Sequence, residues 1–117
     1  YRELWEVVRQ AQEKALSAVR PGVPAVEIDR IARDWIAQAG FGGAFNHALG
    51  HGVGLAVHEA PIISPLSKAV LSPGMVITIE PGIYLPGWGG IRIEDLLVVR
   101  ENGNEVLSHA EKRVQWK

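Results

Sequence analysis

The chain has no cysteine. That absence excludes disulfides and thiolate metal ligands, so stability has to come from a core or from other ligand chemistry. No charge of one sign dominates either: twelve Lys and Arg meet thirteen Asp and Glu, with no basic run. An electrostatic binder of nucleic acid or of a membrane surface is therefore not expected. Long apolar runs are also missing, because Arg, Glu, Gly or Pro interrupts every candidate for the roughly 18 to 20 residues that a bilayer span needs. No membrane partner is expected, and the expected location is cytoplasmic. The single methionine is Met75, and Tyr1 opens straight into an amphipathic pattern, so the 117 residues are expected to belong to something longer. What is present, 47% hydrophobic and 21% charged residues, is the composition of a small globular domain with a core.

Apolar residues at Leu4, Val7, Val8, Ala11, Ala15, Ala18 and Val19 have the spacing of a helix that buries one stripe. Pro21-Gly22 stops it. A second helix is predicted after Pro24, with Ile28, Ile31, Ala32, Trp35, Ile36 and Ala39 on its apolar face. Glu27, Asp29, Arg30 and Arg33 are placed on its polar face, and Gly40 is its C-terminal cap. From Phe41 onward the density of glycine excludes a stable helix and favours loop and short strand. Met75 to Ile79 and Ile91 to Val99 are β-rich, and Asn102-Gly103 predicts a last tight hairpin. The expected class is α+β: two antiparallel helices, then a mainly antiparallel sheet.

Three of the four histidines, His47, His51 and His58, fall within twelve positions, and glycines alternate around His51. Repeated glycine beside a polar residue points to unusual dihedrals or to close approach of a ligand. The other centre is a pair of strand glutamates. The strand period puts Glu80 on one face with Val76 and Thr78, and Glu94 on one face with Arg92, Leu96 and Val98, a face expected to be largely buried. If the two strands pair about Gly87, the glutamates lie opposite each other. Like charges so placed repel, and something positive has to relieve them. Arg92 alone is one solution; a metal ion or an ion pair with His51 is the other, since imidazole nitrogen with carboxylate oxygen suits Zn, Mn, Co or Fe.

Three motifs stand in order: His47-x-x-Gly-His51-Gly-Val-Gly-Leu-x-x-His58-Glu59, then Pro73-Gly74-Met75-Val76-x-Thr78-Ile79-Glu80-Pro81-Gly82-x-Tyr84, then Gly90-Ile91-Arg92-Ile93-Glu94-Asp95. Together they resemble the Xaa-Pro dipeptidase and Xaa-Pro aminopeptidase group of the pita-bread metallopeptidases. The resemblance implies a pita-bread fold with a curved sheet, and it covers almost the whole chain. It implies His51, Glu80 and Glu94 as metal ligands, with Glu94 bridging two divalent ions (Mn, Co or Zn). Glu80 is also implied as the proton acceptor from water, and His47 and His58 as catalytic, non-ligand histidines that bind substrate. Tyr84 and Arg92 are implied in the substrate pocket, and Asp95, on the opposite face from Glu94, is expected to be structural. The implied substrate is a proline-containing dipeptide or peptide. The rival within the same fold is a methionine aminopeptidase, disfavoured by His47 and Arg92; a non-catalytic peptide-binding module is a second alternative.

The chain departs from that pattern in one respect. The group uses two further aspartate ligands upstream, whereas the aspartates here are Asp29, Asp34 and Asp95. Residues 1–117 are accordingly expected to form the C-terminal portion of a catalytic domain. Alone they are expected to be inactive and to hold at most one ion weakly. Association, as a homo-oligomer or with the missing half, is expected to cover exposed strand edges.

Overall fold

A computed structural model describes residues 1–112. Helix α1, Arg2–Ala18, buries Leu4, Val8, Ala11 and Ala15, and helix α2, Ala25–Gln38, buries Ala25, Ile28, Ala32 and Ile36. These are the two predicted stripes. The connection between them turns at Gly22, whose φ of +86° is available to glycine at little cost. Helix α2 closes as predicted at Gly40 (φ +93°). The Gly40 amide donates to the Ala37 carbonyl and the Phe41 amide to the Ile36 carbonyl, both at 3.0 Å. On α2 the two faces are only partly as expected: Asp29, placed on the polar face, is buried, and Ala39, placed on the apolar face, is exposed.

A short 3₁₀ turn, Gly42–Ala44, leads into seven strands: β1 Gly50–Gly52, β2 Glu59–Ile63, β3 Val76–Ile79, β4 Gly82–Leu85, β5 Gly89–Arg92, β6 Asp95–Arg100 and β7 Gly103–Val106. Five of them form an antiparallel sheet in the order β2-β1-β3-β6-β7, and β4 pairs with β5 as a separate ribbon. Strand β2 was not expected. Pro61 and the glycines before it hide its signal, and its place at the sheet edge is where proline is tolerated. The predicted run Ile91 to Val99 is split into β5 and β6. The last hairpin pairs Arg100 with Gly103, so Glu101-Asn102 forms its turn, one residue earlier than predicted.

The β3–β6 and β4–β5 pairings share a single register centred on Gly87. Ile79 faces Asp95 on one side of the break and Gly82 faces Arg92 on the other. Glu80 and Glu94 are therefore opposite each other in the gap, as the midpoint argument expects. Ile77, Ile79, Leu97 and Val99 turn to the core with Ile28, Ile36, Leu49 and Ile83. The other face carries Val76, Thr78, Glu80, Arg92, Glu94 and Leu96. This corrects one expectation: Glu94 is not on a largely buried face, and its side chain is 47% exposed, because the core packs against the odd-numbered positions. Asp95, on the core face, is 3% exposed. It accepts from Ser108 Oγ at 2.9 Å and is paired with Lys112, the structural role expected of it.

Candidate functional site

His51 is the central residue of β1, a strand squeezed between β2 and β3. A Cβ on Gly50 would stand 1.8 Å from the Thr78 carbonyl oxygen, and one on Gly52 would stand 2.2 Å from that of Ala60. The flanking glycines are thus required by the backbones of the neighbouring strands. Neither has a positive φ, so the expected unusual dihedrals are not the cause. The strand locks His51 by its own amide, which donates to Thr78 Oγ1 at 3.1 Å. The imidazole is fixed too. Nδ1 lies 2.9 Å from the Gly52 carbonyl oxygen, which can only accept, so Nδ1 carries a hydrogen and Nε2 is the ring nitrogen left to face Glu80.

Nε2 lies 3.4 Å from Glu80 Oε2, and both side chains are largely buried. A proton on Nε2 makes this contact an ion pair; a metal cation between the two groups would meet both as ligands. Glu94 adds a second carboxylate: burial, then the charge of Glu80 and a hydrogen bond with it, push the Glu94 carboxyl above the usual range, although Arg92 and His51 oppose the shift. Arg92 does not neutralise the pair. Its Nε is 3.9 Å from Glu94 Oε2, and both partners are about half exposed, a geometry in which an ion pair contributes little.

A stability prediction follows from the sign of that shift. An acid whose folded pKa is raised opposes folding when it is ionised, so its cost is present at neutral pH. The cost fades as the pH falls through the folded value towards the ordinary carboxylate range. In chelator, Glu94→Gln is expected to raise stability at pH 7, by about 0.5 kcal/mol or less for so exposed a group, and to change nothing at pH 3. Denaturant titration at the two pH values measures this; a variant less stable at pH 7 contradicts it.

The remaining expected residues fall around the same centre. The His58 ring is 4.3 Å from that of His51, on an exposed stretch leading into β2. His47 Nδ1 is 2.7 Å from the Ala48 carbonyl oxygen and therefore carries the hydrogen, while Tyr84 O–H donates to His47 Nε2 at 3.0 Å. Tyr84 reaches that nitrogen by lying over two glycines. A Cβ on Gly82 or Gly90 would stand 2.6 or 2.5 Å from the Tyr84 side chain. A cleft of about 460 Å³ lies among His47, His51, His58, Glu80, Tyr84 and Arg92. A second, of about 300 Å³, shares four of these residues and extends to Glu94 and Leu96.

Two residues that the sequence reading put on a polar helix face take part in building this site. Arg33 makes a bidentate pair with buried Asp29, at 2.8 and 2.9 Å, and also donates to the carbonyls of Phe45 (2.9 Å) and His47 (2.8 Å). The Leu49 amide donates to Asp29 at 3.3 Å. The pair thereby holds residues 45–49, and with them His47, against α2. The available signal was the position of Asp29 beside Ile28, at the margin of the apolar stripe.

The site combines one imidazole nitrogen facing a carboxylate, a second carboxylate beside it and two further histidines, at motif spacings that compare with one family. The model of metallopeptidase family M24 matches residues 1–101. The chain belongs to this family. Among its M24 relatives, the Xaa-Pro dipeptidase of Pyrococcus horikoshii is 51% identical over 113 residues, covering 97% of this chain and 32% of the relative. The solved prolidase from Pyrococcus furiosus is similar at 53% identity and a TM-score of 0.93, covering 94% of this chain and 33% of that one. The X-Pro aminopeptidase from Thermotoga maritima gives 44% and 0.93, over 96% of this chain and 32% of its own. The fold is the pita-bread fold of these M24 structures, and the chain spans about a third of the length of the relatives it matches. An M24 metallopeptidase implies divalent metal ions, and the donors here suit them: borderline imidazole nitrogen plus hard carboxylate oxygen. Among the described residues no three His, Asp or Glu side chains are arranged to hold an ion.

Proposed function

We propose that the protein containing this chain is a dinuclear-metal-dependent peptidase that hydrolyses the Xaa-Pro bond at the amino end of dipeptides or peptides. One observation carries the reading: His51 Nε2, mostly buried, faces Glu80, and Glu94 lies opposite Glu80 across the break in the ladder, a nitrogen and two carboxylates gathered at one end of the cleft. His51, Glu80 and Glu94 are the ligands this chain contributes. Bound divalent cations supply Lewis acidity towards water and towards the scissile carbonyl. Glu80 accepts the proton of the attacking water and returns it to the leaving proline nitrogen. His58, exposed at the cleft, donates a hydrogen bond to the oxygen that gains charge, and His47 acts with Tyr84 as a hydrogen-bonded pair on the substrate side. Arg92, at the junction of the two clefts, attracts the substrate carboxylate.

Residues 1–117 are read as the C-terminal portion of the catalytic domain, in a cytoplasmic enzyme for which manganese is the first metal to try. The relatives, Xaa-Pro dipeptidases and an X-Pro aminopeptidase among them, support the Xaa-Pro reading over a methionine aminopeptidase or a non-catalytic module. No helix among the described residues is long and apolar enough to cross a membrane. Leu55, Val57 and Ile62, exposed beside the site, support association with further chain of the same protein or with a second copy.

The test uses the protein at its natural length. With Mn(II) or Co(II) it is expected to cleave dipeptides with proline in second position, to lose that activity in chelator, and to regain it when metal returns; residues 1–117 alone are expected to show none. Equal turnover of methionyl peptides without proline would instead favour the methionine aminopeptidase reading.

A further inference from the structure

Gln12, on α1, is fully buried, yet the amphipathic pattern gives it no reason to be. Its side chain reaches the sheet at the break between the β3–β6 and β4–β5 ladders. There Nε2 donates to two backbone carbonyls, Ile79 at 3.2 Å and Ile93 at 3.3 Å. These are the carbonyls of the residues immediately before Glu80 and Glu94. The break creates the need for them. The Ile93 amide donates to the Pro81 carbonyl at 3.3 Å, and the reciprocal bond of an antiparallel pair would require an N–H at position 81, which proline lacks. Gln12 supplies the missing donor to the Ile93 oxygen and ties the Ile79 oxygen to the same nitrogen. Its amide cannot be reversed, because Oε1 accepts from Lys112 Nζ at 2.7 Å, leaving only the NH₂ group for the two carbonyls.

We infer that Gln12 is a positioning residue for the candidate metal centre: one side-chain amide, oriented by Lys112, fixes the two peptide groups from which Glu80 and Glu94 project and so sets the spacing of that carboxylate pair. The inference rests on the reading of Glu80 and Glu94 as ligands. An amide that merely satisfied buried carbonyls would affect stability alone; one that spaces the carboxylates also affects the ion they hold.

The experiment measures Co(II) affinity and the visible d–d spectrum of the bound ion, in the protein at its natural length. The variants are Gln12→Glu, which keeps the Lys112 contact but turns acceptors towards both carbonyls, and Gln12→Asn, which withdraws the amide by one methylene. Ile28→Val, a core truncation that removes no hydrogen bond, controls for lost stability. Both Gln12 variants are expected to bind Co(II) roughly tenfold more weakly with an altered spectrum, as removal of a group supporting a ligand does, while Ile28→Val retains both. Gln12 variants that are folded and match the unsubstituted protein in affinity and spectrum overturn the inference alone. Unsubstituted protein that binds no Co(II) overturns the metal reading and the inference with it. If neither variant folds, Zn(II) titration of the unsubstituted protein decides. The Gln12 side-chain amide proton resonances are expected to shift with the midpoint of metal binding, and resonances that stay unmoved overturn the proposal.

Discussion

Replacing Gly50 by alanine is expected to lower the free energy of unfolding by about 3 kcal/mol or more and to weaken metal binding with it. The cause is steric and local. An alanine Cβ at this position would sit 1.8 Å from the Thr78 carbonyl oxygen and 2.8 Å from its carbonyl carbon, so strand β1 must move away from β3. Backbone cannot rotate aside as the tip of a side chain can. The displacement breaks the bond from the His51 amide to Thr78 Oγ1 and shifts the imidazole relative to Glu80. Gly43→Ala is the matched control, since a Cβ there meets nothing within 4 Å and its φ is not positive; it is expected to change stability by about 0.5 kcal/mol or less. Denaturant midpoints for the two variants decide the matter, and equal midpoints would contradict the steric argument.

What was legible in the sequence was whatever leaves a periodic or motif signal. The stripes Leu4-Val8-Ala11-Ala15 and Ile28-Ala32-Ile36 have the helical period, and Gly40 marks a helix end. The strand period together with the midpoint at Gly87 places Glu80 opposite Glu94, which the register bears out. The histidines and glycines mark His51. Legibility stopped where the cause lies in a distant segment. The glycines beside His51 are explained by Thr78 and Ala60, residues of other strands. Asp29 and Arg33 read only as polar-face residues of their own helix, because the carbonyls of Phe45 and His47 that Arg33 holds are twelve and fourteen residues away. Gln12 is harder still: its partners are 67 and 81 residues on, and the reason it is needed is a missing N–H at Pro81. Glu94 was misplaced for a different reason. Alternation assigns it a face but does not say which face the helices cover, and Asp95 proves to be the buried neighbour.

Glu80→Gln is expected to reduce the proposed Xaa-Pro hydrolysis by the protein at its natural length by about 10³-fold or more, without loss of stability in chelator. The activity loss combines two removals. The carboxylate no longer offers a charged oxygen to the cation, and it no longer accepts a proton from water, a contribution that alone is typically about 10² to 10⁴-fold. The preserved fold has its own argument. Glu80 Oε2 faces Nε2 of His51 at 3.4 Å, and the new amide, which offers both an N–H donor and a carbonyl acceptor, can keep a hydrogen bond to that nitrogen with or without a proton on it. It also removes the charge that helps push the Glu94 carboxyl upward. The metal-free variant is therefore expected to be at least as stable as the parent, the pattern of a residue that a stability-optimised core would not keep. Steady-state hydrolysis of a proline dipeptide, metal titration and unfolding in chelator separate the possibilities. A variant that keeps a tenth of the parent's kcat would remove Glu80 from the proton path. A variant that loses activity only because it unfolds would show that the carboxylate supports the fold, contrary to the geometry of its contact with His51.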